Sequence, residues 1–194
     1  MKWASRVAVA GAVVQIVYGL LACVFRYPTI TDRPFELLWA LVNLAMIANI
    51  AVWLATRVAS PVLAAIGGGL AVVGHLLRAG ISLFLAFQPD AEVDTPIVAT
   101  VMLMFLGMAL IGIATVRAKR LTGRPAWAPL LVLAGGIVAA PFYSFDKVVH
   151  FILLGLLWGS TWLYLAAVGR RNLNSRGHRQ AAVGAAAPAA SEVG

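Results

Sequence analysis

The chain has 194 residues, of which 62% are hydrophobic and 11% charged, with a formal net charge of +8. A soluble globule carries about 25% charged residues, so a mean hydropathy of +0.92 places this chain in the membrane rather than in water. Fourteen of the fifteen basic residues fall in the N-terminal stretch, short connections and a tail, which matches membrane orientation and argues against a nucleic-acid partner.

Apolar runs long enough to cross a bilayer occur at 7–25, 36–55, 62–87, 96–116, 128–143 and 148–168. They predict an all-α integral membrane protein, a bundle of six transmembrane helices in one domain over 1–170. Prolines fall near the predicted ends, at Pro34, Pro61, Pro89, Pro96, Pro125 and Pro129, where a missing N–H is tolerated. The fifth run is short and ends at Pro141, so the fifth and sixth spans are expected to form a tight helical hairpin. The stretch 171–194, basic and then rich in Ala, Gly and Pro, is expected to be disordered.

Charge asymmetry sets the expected orientation. Lys2, Arg6, Arg57, Arg117, Lys119, Arg120, Arg124, Arg170, Arg171, Arg176 and Arg179 fall on one side of a six-span topology. The other side holds Arg26, Arg33 and Lys147 with Asp90, Glu92 and Asp94. By the positive-inside rule both termini are cytoplasmic and the chain is a multi-pass plasma-membrane protein.

The first span carries the stripe Gly11, Gln15, Tyr18 and Ala22, and the second pairs Glu36 with Asn43 on one face. In the third, "GHLLRAG" raises a physical question, because a charge at mid-span costs about 2.5–3.5 kcal/mol on insertion scales. Ala64, Gly68, Ala71, His75, Arg78 and Ser82 recur at helical spacing, a stripe of small and polar groups opposite Ile66, Leu70, Val73, Leu77, Ile81 and Phe84. His75 and Arg78 are therefore expected to face protein. The sixth span opens with Asp146 and His150 on one face, and Arg78 to Asp146 is the preferred ion pair, with Glu36 the alternative acid. Together Gln15, Tyr18, Glu36, Asn43, His75, Arg78, Asp146 and His150 form the expected polar core, in the outer half of the bilayer.

Gly68 and Ala71 in the third span and Gly155 and Gly159 in the sixth are expected to permit close helix crossings, within the chain or in a homo-oligomer. Met102, Met104 and Met108 in the fourth read as adaptable packing. The single Cys23 ends "GLLAC", which resembles a bacterial lipobox, although the apolar run continuing through Phe25 favours an uncleaved span. It excludes an internal disulfide and a Cys-rich zinc site, and no metal is expected. No cofactor is expected either; haem between His75 and His150 is the weaker alternative, since their depths differ by about 10 Å.

There is no G-x-S-x-G, H-E-x-x-H or phosphate-binding glycine motif. The expected role is non-catalytic: a small bacterial-type transporter-like, ligand-binding or accessory membrane subunit, in contact with membrane lipids and possible membrane protein partners. A membrane-embedded enzyme acting on a lipid or isoprenoid-like substrate is the alternative.

Overall fold

The computed structural model describes residues 2–25, 33–89 and 91–186, with side chains from Trp3 to Gly177, so that the side chain of Lys2 lies outside the described residues. Arg26, Asp90 and the side chain of Arg179, all used in the charge count, lie outside the described residues. The first four helices are α1 (Lys2–Val24), α2 (Arg33–Ala55), α3 (Pro61–Phe87) and α4 (Asp94–Ala118). A 3₁₀ turn, Arg124–Trp127, leads into α5 (Ala128–Ala139), and the one-turn α6 (Phe142–Phe145) follows. The last span comprises α7 (Lys147–Ile152), a π-helical segment Leu153–Trp158, and α8 (Gly159–Ala186).

Six segments are long and apolar enough to cross a membrane: Trp3–Val24, Arg33–Ala55, Pro61–Phe87, Asp94–Ala118, Arg124–Phe145 and Lys147–Gly177. They match the predicted runs, and the last helix extends well past the expected boundary at 168. The segment expected to be a disordered tail from 171 begins as helix as far as Ala186.

Local chemistry explains the ends. Pro61 opens α3, and Asp146 caps α7 by accepting from the Val149 N–H at 3.1 Å. Arg57 and Lys119 adopt left-handed backbone where α2 and α4 stop. The connections beyond them are tied together, since Arg120 Nη1 donates to the Arg57 carbonyl at 2.6 Å and the Ser60 N–H donates to Ala114 O at 3.1 Å.

Sequential helices are neighbours, and the sixth span closes the bundle against α1, α2 and α5. Its core holds Trp53, Trp162, Met46, Ile50, Ile111 and Leu165, all but fully buried. Small residues set the crossings. A Cβ placed on Gly19 would lie 2.5 Å from Gly155 Cα, and one on Gly159 would lie 2.7 Å from Ile16 Cγ1. Gly155 and Gly159 therefore face α1 of the same chain. Gly107 meets Ala71 and Gly67 at the α3–α4 crossing, while Gly68 faces the Leu54 side chain.

All four acidic residues within the described segments, Glu36, Glu92, Asp94 and Asp146, belong to one end of the bundle, the acidic end. Arg57, Arg117, Lys119, Arg120, Arg124 and Arg170 belong to the other. At the acidic end the fifth span is interrupted: α5 stops at Ala139, and a turn at Ala140 and Pro141 leads into the one-turn α6. Beyond α5, residues 140–148 are all exposed. Between α4 and the sixth span at this end lies an open space.

Candidate functional site

That space is a cavity of about 580 Å³, to which all six spans contribute. Tyr18 comes from α1, Glu36 and Trp39 from α2, Arg78 from α3, Asp94 to Phe105 from the first turns of α4, Tyr143 and Ser144 from the hairpin, and His150, Leu154 and Trp158 from the sixth span. Four residues expected in the polar core, Tyr18, Glu36, Arg78 and His150, thus meet around one space. The other four lie elsewhere.

Arg78 is half-buried. Its Nη1 donates to Ser82 Oγ at 2.6 Å, one turn along α3, and its guanidinium lies 6.0 Å from the centre of the Trp39 ring. Trp39 in turn stacks on Tyr18 at 4.8 Å between centroids. Glu36 is buried and lines the same cavity as Tyr18 and Arg78. The half-buried cation is therefore met by Ser82 and by the Trp39 ring, in the same cavity as Glu36. Asp146, the preferred partner on sequence grounds, is exposed and caps α7 instead. An i,i+4 face shared with His150 did not bring Asp146 to Arg78 because the hairpin turns its carboxylate to the helix start.

His150 lines the opposite wall. Its Nδ1 lies 2.9 Å from the Ala139 carbonyl, which can only accept, so Nδ1 carries a proton and the neutral ring keeps Nε2 as an acceptor. The Tyr143 ring meets His150 edge-on at 5.2 Å, and Lys147 Nζ lies 5.8 Å from the Tyr143 centroid. Asp94, Arg78 and Glu36 line the same space as Tyr143.

The lower wall is aromatic. Phe105 and Trp158 meet edge-on at 6.5 Å, with Gly136 beneath them: a Cβ there would lie 2.5 Å from Phe105 Cε1 and 3.3 Å from Trp158 Cε2. Leu154 and Trp158 both belong to the π-helical segment, a distortion that concentrates at functional sites. Sequence reading missed Trp39, Phe105, Tyr143 and Trp158 as wall residues and Asp94 as a lining charge. The paired glycines Gly135 and Gly136 were the available signal, because each makes room for the Trp158 indole.

Asn43, His75 and Gln15 work as internal bonds behind this cavity. Asn43 Nδ2 donates to the Trp39 carbonyl at 2.9 Å, which turns Oδ1 toward His75 Nδ1 at 3.0 Å. Gln15 Nε2 donates to Leu154 O at 3.2 Å, joining α1 to the π-helical segment. His75 is fully buried and packs edge-on against Trp162 at 5.5 Å. His75 and His150 therefore do not line a common space, as an axial pair for haem would. Cys23 is half-buried within the last turn of α1, its thiol 3.5 Å from the Val148 carbonyl. Among the described residues no group of three His, Cys, Asp or Glu is placed to hold a metal ion.

Comparison with protein-family models, with curated proteins and with solved structures found no match for this chain in any of the three.

Proposed function

We propose that this chain is a non-catalytic, multi-pass plasma-membrane protein that binds a small amphipathic molecule in its acidic-end cavity, as a transporter-like, ligand-binding or accessory subunit. The observation that carries this reading is one of exposure. Val98 and Met102 line the cavity that holds Arg78 and Glu36, and each keeps 57% of its surface accessible within the apolar stretch of α4. In a bilayer that surface meets lipid, so a molecule with an apolar body reaches the polar groups sideways, without crossing water. The cavity size falls within the range of small-molecule sites, about 300–1,000 Å³, and its mixture of apolar walls with a few convergent polar groups is typical of them.

The orientation that accompanies this reading puts both termini in the cytoplasm and the cavity in the outer half of the membrane. It rests on the separation of acidic and basic ends.

Native mass spectrometry after release from mild detergent tests the site. The expected result is a bound species of lipid-like mass on the full-length chain, diminished by Met102→Trp, which fills the entrance while remaining apolar. A bare chain throughout, or a species that Met102→Trp leaves at full occupancy, overturns the proposal.

A further inference from the structure

The chemistry around the cavity specifies more than an amphiphile. Among the described residues three lining side chains carry a formal charge: Arg78, Glu36 and Asp94. One cation against two carboxylates leaves an excess of one negative charge. The Arg78 guanidinium is also engaged within the protein, donating to Ser82 and facing the Trp39 ring, in the same cavity as Glu36. Asp94 is differently placed. It stands at the mouth in the first turn of α4, and among the described residues its carboxylate makes no hydrogen bond or ion pair. Lys147 Nζ lies 5.8 Å from the Tyr143 ring centre and Arg33 lies over the Phe87 ring, and neither lines the space.

The uncharged polar groups add to the same balance. The neutral His150 ring presents Nε2 as an acceptor, since Nδ1–H is spent on Ala139 O. Tyr18, Trp39 and Tyr143 surround the charged groups with aromatic faces, and such faces attract cations. Arg78 near Trp39 and Lys147 near Tyr143 are two cases of that attraction already present. Acceptors, aromatic faces and an excess negative charge favour a ligand that brings positive charge and N–H donors. A carboxylate or phosphate head would meet Asp94 and Glu36 at like charge.

We infer that the cavity takes an amphipathic amine: an alkyl chain along Val98, Met102 and Phe105, and an ammonium head between Asp94 and the Tyr143–His150 wall. The inference rests on the reading of this cavity as an amphiphile site and names its head group.

Three probes sharing a twelve-carbon tail test it: dodecylammonium, dodecanol and dodecanoate, each measured by equilibrium binding to the full chain in phosphatidylcholine nanodiscs and corrected with protein-free discs. Dodecylammonium is expected to bind about tenfold more tightly than either other probe. Asp94→Asn is expected to abolish most of that preference while leaving dodecanol affinity and melting temperature unchanged. Equal or tighter binding of dodecanol or dodecanoate, or a preference that survives Asp94→Asn, overturns the amine assignment and leaves the amphiphile site standing. Binding of none of the three above protein-free discs overturns the amphiphile site and the assignment with it.

Discussion

Asn43 on α2 and His75 on α3 meet 3.0 Å apart in the interior, and the bond between them has a defined direction. The Trp39 carbonyl accepts from Asn43 Nδ2, so Oδ1 faces the imidazole and His75 Nδ1–H must donate. Both residues are buried and neither lines the cavity. Their role is to join α2 to α3 without a net charge in the apolar interior. Removing either leaves a buried polar atom unpaired, at about 1–3 kcal/mol. His75→Leu and Asn43→Leu are each expected to lower stability by that order, and the double variant to lose less than their sum. Thermal unfolding in a double-mutant cycle measures it. Additive losses would show that the bond contributes nothing.

Arg78 supplies a second cycle, and it separates the two acids that sequence placed within its reach. Glu36 shares the cavity with Arg78, whereas Asp146 caps α7 at its margin. Arg78→Gln is expected to destabilise by about 1–3 kcal/mol, since it removes the charge-assisted bond to Ser82 and the cation that shares a cavity with the buried Glu36. Adding Glu36→Gln should recover part of that loss. Adding Asp146→Asn should recover none of it and cost about 1 kcal/mol more through the lost cap. Recovery with Asp146→Asn instead would reverse the assignment.

The crossing of Gly19 with Gly155 predicts a contrast among glycines. A methyl on Gly155 would lie 2.9 Å from Gly19 Cα and 3.0 Å from Ile16 O, backbone atoms that move only if α1 and the sixth span separate. Gly155→Ala is expected to cost about 1–3 kcal/mol through overpacking. Gly69→Ala adds its methyl to open space on the exposed face of α3, and it should be neutral or stabilising by up to about 1 kcal/mol. Equal effects of the two in thermal unfolding would show that the α1 crossing is looser than these distances imply.

Orientation is measurable because Cys23 is the chain's single cysteine. In a Cys23→Ala background, Glu92→Cys lies on the α3–α4 connection and Thr122→Cys on the connection between α4 and the 3₁₀ turn, at opposite ends of the bundle. A membrane-impermeant maleimide applied to intact cells is expected to label the first, and to reach the second only after permeabilisation. The reverse pattern would place the cavity in the cytoplasmic half.

Spans and packing surfaces were legible because they depend on local rules. Hydropathy over about 20 residues marks a membrane span wherever it folds, and helical spacing put Gly68, Ala71, His75 and Arg78 on one protein-facing stripe of α3. Four glycine and alanine positions were also readable as close-packing sites, since small residues in an apolar helix have few other uses. The partner of Arg78 was not readable. Asp146 and Glu36 are both acids near the same end, and only the path of the hairpin, which spends Asp146 on an N-cap, separates them.

Length, composition and charge order therefore determined by themselves that this chain makes six apolar helices with a polar stripe on several of them, because each property belongs to a single helix. Which stripes face a common space was decided only by tertiary structure. Gln15, Asn43 and His75 carry the same kind of signal as Tyr18, Glu36 and Arg78, yet the former close contacts within the bundle and the latter surround a cavity. The difference arises where helices from all six spans surround the space and where Gly136 lets Phe105 and Trp158 form the wall beneath. Both depend on how helices distant in sequence pack, and no single helix encodes that.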